Sequence, residues 1–214
     1  MRRIFLFLGL GLTFLTNAQD KTSSFDVGAD LVSRYIWRGT DFGSSPAIQP
    51  VLSYSYGSLS LGAWGSYSTN NDSGSDEGDL FASYVLSTGT ELLVTDYFFP
   101  APGLDYFDYD NHFLEFGIHQ SIKDFYMSGY YMAVNGADDL YFEGGFEKGN
   151  VAVFMGAGNE SYTPEEEGKL NICNVGMTIS KDLQLSQEFA LPLFGSLIYN
   201  PSANGILMVV GITL

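Results

Sequence analysis

The chain is poor in the side chains that most protein chemistry uses: one cysteine, two histidines, and nine lysines and arginines against 25 aspartates and glutamates in 214 residues. A lone Cys173 excludes an internal disulfide framework, even in an exporting compartment that would permit one. It reads as a small apolar surface residue. His112 and His119 are too few for a histidine-rich zinc site, and no cofactor-binding motif is expected. The scarcity of base gives a formal charge of −16, which argues against nucleic acid or an anionic surface as partner and makes cations the natural counterpart. After the first residues, no apolar run approaches the roughly 20 residues of a membrane-spanning helix.

What the chain does have is 45% hydrophobic and 15% aromatic residues and 25 glycines, too apolar and aromatic for a disordered acidic chain. The opening MRRIFLFLGLGLTFLTNA places Arg2 and Arg3 before an apolar run that ends in small residues. That is the layout of a cleaved signal peptide over residues 1–18, with cleavage after Ala18. Removal of both arginines takes the charge to about −18 and leaves residues 19–214 as one domain. No cysteine follows the cleavage region, so a lipid-modified amino terminus is not expected.

From Phe25 onward the chain alternates short apolar–polar segments with turn-forming clusters. Strands are predicted at residues 25–37, 47–56, 59–67, 80–87, 92–99 and 113–121, then at 125–134, 140–146, 151–158, 170–179, 183–194 and 206–214. Short turns at Gly57-Ser58, Thr88-Gly89-Thr90, Ile122-Lys123-Asp124, Glu147-Lys148-Gly149-Asn150 and Ser180-Lys181-Asp182 alternate with longer connections at 38–46, 68–79, 100–112, 135–139, 160–169 and 200–205. Segments of this length cross a bilayer only as tilted strands, and an open edge would leave backbone groups unbonded in lipid. The expectation is an all-β fold: a transmembrane, antiparallel, up-and-down β-barrel of about 12 strands, with short turns on the periplasmic side.

The period of two gives facing. Ile206, Met208, Val210, Ile212 and Leu214 share the lipid face of the last strand; Phe25, Val27, Ala29, Leu31, Tyr35 and Trp37 share that of the first. Asp96 remains ambiguous, falling on a face with Leu92, Val94 and Phe98, and Pro192 reads as a bulge or a strand's end near the outer rim. The lumen then gathers Asp26, Asp30, Glu115, Glu143, Glu147 and Glu188 against Arg34 and Arg38 near the outer mouth. Two readings follow. A water-filled lumen so lined favours cations; alternatively the acids pair with the arginines in a plugged interior.

Outer connections carry Asp72, Asp76, Glu77 and Asp79, then Asp105, Asp108 and Asp110, then Glu165, Glu166 and Glu167. None has calcium-loop spacing, and a solvated acidic surface is the plainer reading. His119, Ser121 and Glu115 share one face of a strand and resemble a Ser, His and acid set, but parity puts them inside, near a periplasmic turn. No catalytic function is expected. Tyr35, Trp37, Tyr97, Phe98, Phe99, Tyr130 and Tyr131 read as an interfacial aromatic girdle.

The stretch SRYIWRGTDFGSSPAIQPVLSYSYGSLSLGAWGS, residues 33–66, resembles the amino-terminal signature of the TorF-type porins, in which a Tyr and an Arg-Gly pair lead into a Pro-Ala-Gln-like strand and then a Gly-x-Trp strand. Residues 79–84, 97–100 and the final strand also resemble that family. The resemblance implies a bacterial outer-membrane channel and supplies neither a substrate nor catalytic residues. The functional expectation is a passive porin for small solutes with cation preference, its partners being outer-membrane lipid and small solutes or cations, with oligomerisation open. The alternative is a structural or adhesive barrel that binds divalent ions or a partner through its acidic loops. A membrane-embedded hydrolase is third.

Overall fold

A computed structural model describes residues 23–70, 76–136, 138–163 and 168–214. The expected signal peptide and the loop acids Asp72, Glu165, Glu166 and Glu167 lie outside the described residues.

Twelve strands form one closed antiparallel barrel. They are β1 (Ser23–Val32), β4 (Ala47–Tyr56), β5 (Leu59–Ser68), β6 (Glu77–Val85), β7 (Glu91–Phe98) and β8 (His112–Ile122). The second half supplies β9 (Phe125–Val134), β10 (Leu140–Lys148), β11 (Val151–Gly158), β12 (Asn171–Gln184), β13 (Ala190–Asn200) and β14 (Gly205–Thr213). Each pairs with its sequence neighbours, and β1 closes the ring on β14 through Asp30↔Thr213, Leu31↔Ile212 and Val32↔Gly211. The remaining two strands, β2 (Tyr35–Trp37) and β3 (Thr40–Gly43), form a separate hairpin. Among the described residues no helix is long and apolar enough to cross a membrane, which says nothing of strands.

Alternation sorts the two faces as the period of two requires. Val27 and Ile206 are each 73% exposed on the outside, with Met208 and Val210 beside them, while Asp30 and Val209 of the same strands are buried inside. Asp96 is resolved: it lies on the outer face of β7 at the long-loop end, where its carboxylate meets His112 Nδ1 at 2.9 Å. The inner wall is built from aromatic rings laid over glycines of the adjacent strand. Phe81 covers Gly62, Tyr130 covers Gly117, Tyr141 covers Gly156, Phe154 covers Gly176 and Phe194 covers Gly211, each so closely that a β-carbon there would collide with the ring. The missing side chains are what let the rings lie flat and give cross-strand packing in place of the lost residue.

Several expectations are corrected. The first strand ends at Val32 rather than Trp37, and residues 33–46 fold into the barrel as the β2–β3 hairpin. Tyr35 and Trp37 are therefore inside, not in an outer girdle. Next, β12 continues through Ser180, Lys181 and Asp182 to Gln184, so the turn falls at residues 185–189. Lys181 and Asp182 are exposed, and the hairpin can run on because charged groups stay hydrated beyond the apolar belt. Pro192 pairs with Asp182 in unbroken register near that short-turn end, so it marks neither a bulge nor an outer rim. Finally, Glu77 and Asp79 belong to β6, facing inward and buried, not to an outer loop.

Candidate functional site

The hairpin at residues 33–46 is built around a two-residue turn. Arg38 and Gly39 have φ of 49° and 83°, both left-handed, as a tight hairpin of the strand-compatible hand requires. Glycine takes that conformation without penalty, and arginine holds it at a cost of about 1–2 kcal/mol. At Gly39 the backbone also passes so close to the Cys173 carbonyl that no β-carbon fits. Asn200 Nδ2 donates to the Gly39 carbonyl at 3.0 Å, fixing the tip against β13. Cys173, expected at the surface, is wholly buried beneath this contact.

Arg38 reaches from the tip across the lumen. Its Nη1 and Nη2 donate to the two carboxylate oxygens of Glu115 at 2.5 and 2.9 Å, a bidentate pair, and Nη1 also donates to the Tyr162 hydroxyl at 2.6 Å. The guanidinium carbon lies 4.1 Å from the Tyr130 ring centre, 4.5 Å from Trp37, 4.6 Å from Tyr141 and 5.6 Å from Tyr162. Side-chain exposure is 5% for Arg38 and 3% for Glu115, so solvent screens this pair little. Each ring face adds about 0.5–2 kcal/mol when desolvated. The strength of the pair lies in its completeness, because a buried charge missing its partner costs several kcal/mol.

The cage has its own supports. Tyr97 Oη donates to Glu115 Oε1 at 3.0 Å. Tyr141 Oη donates to Glu143 at 2.5 Å and accepts from Asn174 Nδ2 at 2.9 Å. Tyr162 comes from a 3-10 turn (Glu160–Tyr162) that folds inward after β11, with Asp139 accepting from Ser161 N and Oγ at its base. Burial pushes the Tyr162 phenol well above its usual range, so it remains neutral beside Arg38. On the opposite side of the hairpin, Tyr35 Oη donates to Glu77 at 2.8 Å. Tyr35, Ile36, Phe194, Ile198 and Val209 form an apolar core with Phe42 and Trp64 packed against it. The long-loop half of the lumen is thus filled.

Toward the short turns the interior changes character to hydroxyls and carboxylates. Ser55 and Ser60 bond across β4 and β5 at 2.8 Å, Thr178 and Ser196 across β12 and β13 at 2.8 Å. Glu91 Oε1 and Ser180 Oγ face this region without a protein partner. His119 touches Ser128 through Nδ1 and Ser121 through Nε2, at 2.8 and 2.9 Å. Both ring nitrogens are therefore on hydroxyls and Glu115 is on Arg38, so the three residues with triad-like spacing do not assemble into a Ser, His and acid relay.

The structure brings Arg38, Glu115 and Glu143 into one network and sets Asp30 on the inner wall of β1. Asp26 and Glu147 sit exposed toward the short-turn end. Arg34 lies at the root of the hairpin, paired with Asp41 at 3.2 Å rather than with a wall acid. Glu188 is in the 185–189 turn, exposed, and not on the inner wall at all. Of the predicted girdle, Tyr97 and Tyr130 also turn inward, Phe98 shares the outer face of Asp96 but is covered by Tyr106 and His112, and Tyr131 is exposed. Tyr130, Tyr141 and Tyr162 were missed as site residues. Inward parity with Glu143 marks Tyr141, but nothing local marks Tyr162. Among the described residues no group of three or more His, Cys, Asp or Glu is placed to hold a metal ion.

These features define a closed antiparallel β-barrel whose lumen is stoppered by its own first connection. A model of a family described as "Bacterial protein of unknown function (Gcw_chp)" matches residues 18–122, just under half of the chain. The matched span contains both Arg38 and Glu115 and the stretch 33–66 that resembles the TorF-type porins, but the family's description names no porin. No curated protein matches the chain.

Proposed function

We propose that this protein is a bacterial outer-membrane barrel serving as a normally closed channel for small solutes, cations preferred, with the hairpin at residues 33–46 as its stopper. The observation that carries the reading is the contrast between the two faces of a closed sheet. Outside is a continuous apolar belt, with exposed aromatics Tyr56, Tyr84 and Phe125 near the short turns and Tyr67 and Tyr131 near the long loops. That is the arrangement a barrel in lipid needs. Inside, carboxylates outnumber bases, so the wall favours cations over anions. The plugged alternative describes the resting state and the conducting one the state after the hairpin moves. No enzymatic role is proposed.

Planar-bilayer recording of the refolded mature chain tests this. Wild type is expected to be mostly closed, and a variant with residues 34–44 replaced by a short glycine–serine linker to conduct with cation selectivity. A linker variant that folds but stays silent, or that prefers anions, would overturn the reading.

The second reading is adhesive. The connection between β7 and β8 presents Phe107, 91% exposed, and Tyr109 among Asp105, Asp108 and Asp110. A silent lumen in the linker variant, together with calcium-dependent surface binding that Phe107→Ala abolishes, would favour it.

A further inference from the structure

We infer that the cage around Arg38 is a guanidinium-binding site of the barrel wall, which the stopper occupies with its own side chain and which a guanidinium-bearing solute competes for when it opens the channel. The solute half of this inference rests on the channel reading above; the cage half does not.

The wall's share of the cage stands independently of the hairpin. Tyr97, Glu115, Tyr130 and Tyr141 come from four consecutive strands, β7 to β10. Tyr97 orients the Glu115 carboxylate, while Asn174 and Glu143 orient the Tyr141 ring, and neither set of bonds involves Arg38. Tyr130 lies flat over Gly117. A planar cation therefore meets one fork-matching carboxylate and two aromatic faces already in position. Such preorganisation lowers the ordering cost of binding, and the geometry suits a guanidinium better than an ammonium. Two parallel N–H donors are needed to satisfy both carboxylate oxygens, and a delocalised, weakly hydrated plane to lie along the rings.

Competition is feasible because Arg38 is held under opposing demands. It sits at a non-glycine left-handed position, strain that persists only while surrounding contacts hold it there. A soluble guanidinium that supplies the same contacts lets Arg38 relax. Beneath the cage, Glu143 and then Glu147 continue along the inner face of β10 toward the short turns, offering further carboxylates to a cation that has passed the stopper.

Two measurements on the full mature chain test the inference. In the refolded Arg38→Ala variant, methylguanidinium at tens of millimolar is expected to raise Tm by about 3 °C, as binding at a concentration well above Kd does in a chain of this size. Methylammonium at equal concentration is expected to do neither this nor any comparable stabilisation, and Arg38→Ala/Glu115→Gln should lose the response. Equal effects of the two cations, or none, overturn the cage. In wild-type bilayers, agmatine is expected to increase open events severalfold over putrescine at matched ionic strength. If wild type opens spontaneously but agmatine and putrescine act alike, the competition fails while the channel reading stands. If neither wild type nor the linker variant ever conducts, the channel reading fails whatever methylguanidinium does to Arg38→Ala.

Discussion

Replacing Arg38 and Glu115 singly and together separates a structural latch from an incidental contact. Both side chains are at least nine-tenths buried and joined by two hydrogen bonds. Arg38→Met leaves the Glu115 carboxylate in the lumen with only the Tyr97 hydroxyl for a donor, and Glu115→Leu leaves a guanidinium against rings and one phenol. Each single change should cost about 3–5 kcal/mol, the usual penalty for an orphaned buried charge. The double replacement removes both charges and fills similar volume, so it should fall within about 2 kcal/mol of wild type. The coupling energy is then at least about 4 kcal/mol, far beyond the roughly 0.5 kcal/mol scatter of independent sites. Urea midpoints of the refolded chains, followed by near-ultraviolet circular dichroism of the buried aromatics, give all four corners of the cycle. Losses that simply add would show that the pair does not act as a unit and would remove the latch from the account.

Gly39→Ala forces a β-carbon against the Cys173 carbonyl at a left-handed position, so the hairpin tip should lift at a cost of about 2 kcal/mol or more; faster maleimide labelling of buried Cys173 is the readout. Gly156→Val drives the Tyr141 ring off the wall and should destabilise by about 1–3 kcal/mol, as overpacking does, visible as a lowered midpoint without loss of strand content. Val210→Arg puts a charge on the exposed apolar belt and should cost about 2–4 kcal/mol if that belt meets lipid. A neutral result in vesicles would mean that Val210 does not face hydrocarbon.

Most of the barrel was legible because its signal is periodic. Strands at 47–56, 125–134 and 151–158 coincide with β4, β9 and β11, and the parity of Phe25–Val27 and of Ile206–Met208–Val210 carries directly into exposure. The stopper was not legible from parity, because Tyr35 and Trp37 continue the odd-numbered apolar row of β1 across Ser33 and Arg34. What separates them is the left-handed Arg38-Gly39 turn, a hairpin signal that the longer row masked. Glu188 was misplaced by the same mechanism in reverse: Lys181 and Asp182 imitate a turn, whereas they are hydrated strand residues. The Arg38–Glu115 pairing crosses the lumen between residues 77 apart in sequence, and no local pattern encodes a partner so distant. The two were nevertheless expected on the same inner side, with a plugged interior as one of two readings. Tyr162 enters the lumen from a loop, where period carries no facing information.

Val32 and Ala47, the last rung of the β1–β4 ladder, are the two roots of the stopper, and they stand opposite each other. The excursion between them leaves the wall and returns to it at one point, like a cork on a short tether. Ser33 still bonds to Val210 of β14 and Pro46 to Thr69, so an outward swing of residues 34–45 pivots just past that rung and leaves the strand ladders joined; the ring would stay whole while its bore is cleared, and the tethered cork would find its seat again without a search.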